Sequence, residues 1–322
     1  MSGGSPLPLT CSPLLLLTLT RNSSLALSAP GHLGTSAQDY SLLLNSSVNL
    51  QVSIFIMRLI VSNIIAIFRK ELQSYFASPL AYLVAAVFWL ISGFFFVSIL
   101  LGPDGIIQQV AQREQMGVPS PPVDVAYRLL QFFLGVMGAL VLFLLPILSM
   151  GLYAEERKRG TLELLATSPV TNWAVALGKL LGVVVFFTAM VIPLLIYEAI
   201  ALSAANPPID PGVPLLAHAG LILLAAAILS LGMFVSSLTD SSILAAILTF
   251  ALVLFLWVTD LIASRVGGPL GEALAHLSLL SSYNNLVQGV LDTSSLVLFA
   301  SYIFLGLFLT AQSIDSLRFT RR

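Results

Sequence analysis

The residues best suited to chemistry form a charged cluster between two long apolar stretches. Six ionisable side chains fall within nine positions: Glu155, Glu156, Arg157, Lys158, Arg159 and Glu163. The sequence contains no GxxxxGK[ST] phosphate loop, no HExxH zinc motif and no GxSxG serine motif. We therefore interpret the cluster as an interaction element and not as an enzyme active site, and we expect no ATP-binding motif in this chain.

The residues that follow predict a short, capped helix. Gly160 lets the chain turn without steric penalty, and the Thr161 hydroxyl can cap the next helix. Glu163 would lie in its first turn, where the helix dipole favours a carboxylate. The predicted apolar face comprises Leu162, Leu165 and Ala166, and Pro169 ends the helix. The stretch Glu155–Thr171, called the charged segment below, is either an ordinary charged loop or a docking element for a soluble partner.

The chain is too apolar for a soluble globular protein. Hydrophobic residues make up 57% of the sequence, charged residues 9%, and the mean hydropathy is +0.98. The net charge of −1 says nothing about nucleic acid, but the sequence has no basic stripe, so we expect no nucleic-acid partner. A single cysteine excludes a disulfide framework, and the three histidines lack metal-ligand spacing. We expect an integral membrane protein that binds no cofactor and no metal.

The N-terminal stretch differs from the rest. Residues 1–56 are rich in Ser, Leu, Pro and Asn, and their apolar run Pro13–Leu19 is too short to span a bilayer. A signal peptide needs a basic N-terminal region, and no basic residue precedes Arg21, so the sequence supports a signal peptide only weakly. We expect residues 1–56 to be a poorly ordered extension, or to precede a natural start at Met57, and residues 57–322 to form the membrane domain.

The membrane domain is predicted to be all-α, with six spans. Each has about 20 or more residues, enough to cross about 30 Å of hydrocarbon. The predicted spans are Leu80–Leu101, Tyr127–Leu152, Trp173–Leu202, Val213–Leu238, Ile243–Ala263 and Leu296–Ile314.

Three further segments complete this prediction. Residues 57–78 read as an amphipathic helix lying in the membrane interface. Its polar edge includes Arg69, Lys70 and Glu71. Gly102–Asp124 is predicted to be a loop, and Ser264–Thr293 to form short surface helices.

The placement of Lys and Arg predicts the orientation. With both termini inside, ten basic residues lie on the cytoplasmic side: Arg58, Arg69, Lys70, Arg157, Lys158, Arg159, Lys179, Arg318, Arg321 and Arg322. The outer segments then hold only Arg113, Arg128 and Arg265. By the positive-inside rule, the charged segment and both termini are expected to face the cytoplasm.

Three ionisable residues in the predicted spans deserve a functional test. Glu198, His218 and Asp260 all fall near the outer ends of their spans. We therefore favour interfacial solvation or helix pairing over a proton relay. The glycines within Gly135–Gly138 indicate close helix packing and not a cofactor site.

Four stretches carry the motifs of one known family. Glu155–Lys179 has an acidic residue, basic residues, Gly-Thr, an apolar residue, Glu, Leu-Leu and Pro in that order. The others are Phe68–Val84, Leu231–Phe250 and Ser278–Phe299. Over about Met57–Arg322 the chain resembles the permeases of type-2 ABC exporters.

Two of these stretches give finer expectations. Phe68–Val84 resembles the family's elbow helix and first span, so residues 57–78 are called the elbow segment below. Ser278–Phe299 resembles the gliding-motility-associated subgroup, although Gln288 stands where that subgroup usually carries an Arg.

The resemblance implies a permease subunit of an exporter in the plasma membrane. It would form the substrate pathway with a second copy or a related permease. Two cytosolic ATPase subunits would bind ATP and Mg, and the short helix would dock on them as a coupling helix. The implied coupling residues are Glu155, Glu156, Gly160, Thr161, Leu162, Glu163, Leu164, Leu165 and Pro169. Leu162 and Leu165 are expected to be exposed.

Two alternatives belong to other classes. An ion-coupled six-span secondary transporter would use Glu198 and Asp260, and should show an internal repeat with broken helices. We find no convincing repeat between Met57–Leu202 and Val213–Arg322. A membrane scaffold would not need the capped helix. An ATPase with a phosphate loop in the neighbouring reading frame would favour the exporter.

Overall fold

A computed structural model describes residues 37–116, 125–162, 170–205, 208–263 and 276–319, together with 265, 266, 268 and 271. The chain divides into two units, Met1–Ile56 and Met57–Arg322. In the first unit, residues 37–56 are helical. The predicted poorly ordered extension lies largely outside the described residues. All contacts given below lie within the second unit.

The described residues form α-helices joined by short connections. In chain order they are α1 (Ala37–Ala77), α2 (Pro79–Leu101), α3 (Ile106–Gln115), α4 (Val125–Ser149), α5 (Gly151–Lys158), α6 (Asn172–Ser203), α7 (Gly212–Leu238), α8 (Ser242–Ala263), α9 (Leu279–Val287) and α10 (Thr293–Phe319). Pro79 lies at the start of α2, where its missing N–H costs no helix bond. The prediction of an all-α membrane protein is confirmed.

Seven stretches in the described residues are long and apolar enough to cross a membrane. They are Val52–Ala77, Pro79–Arg113, Val125–Lys158, Asn172–Ser203, Gly212–Leu238, Ser242–Thr259 and Thr293–Ser316. Five of them contain a predicted span in full, and Ser242–Thr259 covers all but the last four residues of the predicted span Ile243–Ala263. The additional stretch is Val52–Ala77, which overlaps the elbow segment that we predicted to be interfacial.

Helix α1 begins 20 residues before the predicted start at Met57, at Ala37. The sequence has no Gly or Pro between Gly34 and Pro79, so nothing breaks the helix in this interval. Apolar side chains also continue upstream of Met57, through Val52, Ile54, Phe55 and Ile56. This continuity explains why the apolar helix is longer than the predicted interfacial one.

Helix α7 lies at the centre of the bundle and contacts α4, α5, α6, α8, α9 and α10. Its sequence is rich in small residues, which allow helix backbones to approach closely. Gly306 of α10 is an example, because a Cβ atom there would lie 2.5 Å from the backbone carbon of Ser230. Most other spans keep one side exposed, such as Phe94 of α2 and Ile243 of α8.

Two connections differ from their predictions. The predicted loop Gly102–Asp124 contains helix α3. The predicted surface helices of Ser264–Thr293 include α9, but one side of α9 is buried in the bundle through Leu279, Ser282, Tyr283, Leu286 and Val287. The moderate apolarity of this stretch predicted short helices that do not span the membrane, whereas the burial of α9 depends on tertiary packing that a single sequence does not specify.

Candidate functional site

The charged segment begins in the last turn of α5. The N–H of Arg159 donates to the Glu155 carbonyl at 3.0 Å, and the N–H of Gly160 donates to the Arg157 carbonyl at 3.1 Å. Gly160 has a φ of 71°, a left-handed conformation that glycine adopts without steric cost. The predicted turn at Gly160 is therefore present, as the C-terminal cap of α5.

Helical conformation resumes after this turn. Thr161 and Leu162 are helical, and residues 163–169 lie outside the described part of the chain. The Thr161 hydroxyl donates to the Glu156 carbonyl at 3.2 Å, so it caps the end of α5. Its predicted acceptor role toward the next turn involves residues that are not described. The predicted coupling residues Glu163, Leu164, Leu165 and Pro169 also lie there.

Leu162 corrects one expectation. Its side chain is only 3% exposed and belongs to the buried apolar core. The prediction that Leu162 is exposed is therefore wrong. Burial of a leucine side chain is worth about 1.5–3 kcal/mol, and here the chain's own core provides that burial. The sequence pattern identified an apolar face without indicating what covers it.

A serine fixes the start of α5 to α7. Ser236 Oγ accepts from the N–H groups of Tyr153 at 3.1 Å and Ala154 at 3.0 Å. It also donates to the Met150 carbonyl at 2.8 Å. The first N–H groups of a helix have no partner within that helix, so Ser236 supplies one. The base of the charged segment is thereby held on the central helix.

Arg157 strengthens the same connection. Its Nη1 donates to the Ser237 carbonyl at 2.7 Å, next to the C-terminal end of α7. A charged donor makes a stronger hydrogen bond than a neutral one. By contrast, the Arg159–Glu155 pair is solvent-exposed, with side chains 72% and 54% accessible at 3.4 Å. An exposed pair of this kind stabilises little.

A buried lysine brings three elements together. Lys179 of α6 is only 3% exposed, and its Nζ lies 2.9 Å from Glu156 Oε1 of α5. The same Nζ donates to the Leu152 carbonyl at 2.8 Å and lies 3.3 Å from Glu71 Oε2 of the elbow segment. It also lies 5.0 Å from the centre of the Tyr153 ring. A buried ammonium requires such partners, and we call Lys179, Glu71 and Glu156 the lysine cluster.

The three predicted elbow residues take different roles. Glu71 is in the lysine cluster, with its side chain 12% exposed. Lys70 is 71% exposed and lies 3.9 Å from Glu156 Oε1. Arg69 is exposed. The elbow segment also contacts α4, because the Tyr75 hydroxyl donates to the Leu148 carbonyl at 2.7 Å.

A second polar contact links α6 to α10. Asn172 Nδ2 donates to Asp315 Oδ1 at 2.5 Å, with Asn172 buried. Thr171, the last residue of the charged segment, caps α6 through a hydroxyl that accepts from the Ala174 N–H at 3.4 Å. Both ends of the charged segment are therefore tied to spanning helices.

Glu198 and His218 form a buried pair at the other end of α6. Each is 2% exposed, and Glu198 Oε2 lies 3.5 Å from His218 Nε2. His218 Nδ1 lies 2.9 Å from the Pro214 carbonyl, which can only accept, so Nδ1 carries a proton. Interfacial solvation is wrong for these two residues, whereas helix pairing matches their contact. The side chain of Asp260 lies outside the described residues.

Helix α9 is anchored near this pair. The Tyr283 hydroxyl donates to the Leu134 carbonyl of α4 at 2.7 Å, and burial raises the pKa of that hydroxyl well above its ordinary value. The Tyr127 hydroxyl donates to the Gln288 carbonyl at 2.7 Å. Gln288, the position that departs from the subgroup motif, thus contributes its backbone to this contact.

An apolar cavity of about 230 Å³ lies between α4, α8 and α9. Its lining is mainly aromatic and aliphatic, with one amide: Gly135, Ala139, Leu142, Phe143, Phe250, Leu254, Trp257, Leu280 and Asn284. Among the described residues, no group of three or more His, Cys, Asp or Glu side chains is placed to hold a metal ion.

Sequence reasoning missed the role of Lys179. The positive-inside rule treats it only as a cytoplasmic charge, although it lies inside the predicted span Trp173–Leu202. A lysine in a long apolar segment requires a partner, and this signal was available in the sequence. The identity of the partners was not, because Glu71 is 108 positions away.

Comparison with protein families identifies a relationship. The family model described as "ABC-2 type transporter" matches residues 62–291, well over half of the chain. No curated protein matches. The matched residues include the elbow residues Arg69, Lys70 and Glu71, and the whole charged segment.

Proposed function

Because this chain belongs to the ABC-2 type transporter family, and is therefore a multi-pass membrane permease, we propose that separate ATPase subunits drive it as an exporter. The proposed partners are cytosolic ABC ATPase subunits that carry ATP and Mg, with no cofactor bound by the permease itself. A second permease, identical or related, would complete the substrate pathway, and lipids would surround the exposed helix faces.

One observation carries this proposal. The charged segment emerges from a fixed base, since α5 is bonded to α7 through Ser236 and to α6 through Lys179. Because α5 is bonded directly to α6 and α7, movement of the charged segment would be transmitted to these spanning helices. A coupling element requires this property, whereas an ordinary charged loop does not.

The orientation and the subgroup belong to the same proposal. The basic residues favour a charged segment and termini in the cytoplasm, with the chain in the plasma membrane. The gliding-motility-associated subgroup is supported by Ser278–Phe299, apart from Gln288.

The proposed docking contact is made by Leu165. We expected Leu162 and Leu165 to meet the ATPase, and Leu162 is buried within this chain, so the proposal now rests on Leu165. Burial of such a side chain against a partner is worth about 1.5–3 kcal/mol. Glu155, Glu156, Gly160, Thr161, Glu163, Leu164 and Pro169 would shape and orient this contact.

If the neighbouring reading frame encodes an ATPase with a phosphate loop, the test co-expresses that ATPase with the Leu165→Asp permease and measures their co-purification. We expect loss of the ATPase from the complex and an unchanged, monodisperse permease. The matched control is Leu291→Asp, because Leu291 is 62% exposed and precedes α10. Undiminished co-purification with Leu165→Asp would contradict docking through this segment.

A further inference from the structure

The lysine cluster joins parts of the chain that are distant in sequence. Glu71 lies in the elbow segment, Glu156 in α5 at the base of the charged segment, and Lys179 in the first third of α6. The Nζ atom is the shared point, since it contacts both carboxylates and the Leu152 carbonyl. Movement of any one of these elements changes the contacts of the other two.

The backbone brings the elbow segment and α6 close together at this point. A Cβ atom added at Gly178 would lie 2.9 Å from the Ile67 side chain and 3.1 Å from the Ile64 carbonyl. A Cβ atom at Gly182 would lie 2.8 Å from Glu71 Cβ. The two glycines flank Lys179 and leave no room for a side chain. Elbow and α6 therefore form a tight contact with a buried charge at its centre.

Burial decides which ion pairs can transmit movement. The Lys179 side chain is 3% exposed, whereas Lys70 is 71% and Arg159 is 72% exposed. Exposed pairs are screened by water and salt, and they re-form in several geometries. Separation of the buried ammonium from its carboxylates would leave charges unpaired in an apolar region. The lysine cluster therefore favours one arrangement of three elements.

We propose that Lys179 is a positioning residue that links the charged segment to the elbow segment, so that both move together with α6. The inference rests on the proposed function, because it assigns the route by which a push from the ATPase reaches the elbow. Lys179 need not touch either the ATPase or the transported molecule.

The first arm of the test measures position without ATP hydrolysis or transport. Cys11 is replaced by Ser, and spin labels are attached at Gln73→Cys and Lys158→Cys, both at exposed positions. In the otherwise unchanged chain we expect one narrow distance distribution by electron paramagnetic resonance. Lys179→Met should broaden it or add a second distance. An unchanged distribution in Lys179→Met would overturn the link.

The second arm measures transport per ATP hydrolysed in vesicles that contain the complete complex. Lys179→Met is expected to lower this ratio at least about fivefold, the lower range of ordinary coupling between sites. The matched control is Glu198→Gln, which replaces an ionisable side chain of similar burial at the other end of α6. Its ratio should match the unsubstituted chain. An unchanged ratio in Lys179→Met, beside a broadened distance, would overturn the positioning role.

Glu71→Gln is a second variant that keeps the proposal testable if Lys179→Met does not fold. It removes the elbow charge and retains the Lys179–Glu156 pair at 2.9 Å. We expect a smaller broadening and a smaller loss of the ratio, and no effect in either arm would overturn the proposal. Failure of the proposed function looks different, because the unsubstituted chain would then lack ATP-driven transport although its distances responded to Lys179→Met.

Discussion

At the scale of single residues, three ionisable side chains that connect helices are buried, whereas others in the charged segment are exposed to solvent. Lys179, Glu198 and His218 are each 3% exposed or less, and each has an ionisable partner on another helix or segment. Lys158 and Arg159 are exposed. In an apolar protein with 9% charged residues, the few buried ionisable side chains are the informative ones.

Lys179→Met is predicted to destabilise the permease by about 3–5 kcal/mol, because removal of one partner leaves the opposite charge buried and unpaired. Thermal unfolding of the purified chain in detergent measures the change. Lys158→Met serves as the matched control, since an exposed substitution should stay within about 0.5 kcal/mol. Equal effects of the two substitutions would refute the role of the buried pair.

Glu198→Gln and Asp260→Asn are predicted to leave ATP-driven transport within about twofold of the unsubstituted chain. Glu198 pairs with His218 inside the bundle, and an amide preserves its shape and its capacity for hydrogen bonds. Transport assays across a pH series test this. Loss of transport with a shifted pH profile in either variant would instead support an ion-coupled mechanism.

At the scale of elements, two glycines on α4 have opposite surroundings. A Cβ atom at Gly138 would lie 2.5 Å from Tyr283 Cε1 of α9, whereas one at Gly135 would meet nothing within 4 Å. The sequence predicted close helix packing for the whole stretch Gly135–Gly138. In the structure, the close packing is at Gly138, against the Tyr283 ring. The partner is α9, whose insertion was not predicted.

Gly138→Ala is therefore predicted to destabilise the protein by about 1–3 kcal/mol through overpacking. Gly135→Ala is the matched control on the same helix and should be close to neutral. Thermal unfolding of both variants gives the comparison, and the intrinsic fluorescence of the chain reports local displacement. Equal unfolding temperatures of the two variants would contradict the prediction that a Cβ atom at Gly138 clashes with Tyr283 of α9.

Gly160→Pro is predicted to preserve expression and substrate binding but to uncouple ATP hydrolysis from transport. Proline holds φ near −65° and lacks the N–H that bonds to Arg157, so the turn at φ 71° cannot form. The matched control is Gly268→Pro, where φ is 82° and the surroundings are also open. Substrate-stimulated hydrolysis with normal transport in Gly160→Pro would reduce the segment to a charged loop.

At the scale of the whole molecule, the helices and the family could be predicted from the sequence. The burial of each helix in the bundle and the residues that it contacts were harder to predict. The helix start at Pro79 and the turn at Gly160 depend on local backbone constraints, so both could be predicted from the sequence. The burial of Leu162 and the pairing of Lys179 depend on segments far away in sequence. Helix α1 does not start at Met57 as predicted, because no helix breaker stands there.

The sequence contains three lysines: Lys70, Lys158 and Lys179. Two carry accessible amines, and the third amine is enclosed by carboxylates and 3% exposed. Reagents that acylate amines should therefore modify Lys70 and Lys158 quickly and Lys179 slowly.

Mass spectrometry of peptides from the intact complex measures the three rates, before and after addition of nucleotide. Faster modification of Lys179 with nucleotide would mean that the cluster opens during the transport cycle, and an unchanged rate would mean that it moves as one closed unit. Lys179 thus reports on the cluster, with the exposed Lys70 of the elbow segment as the internal standard.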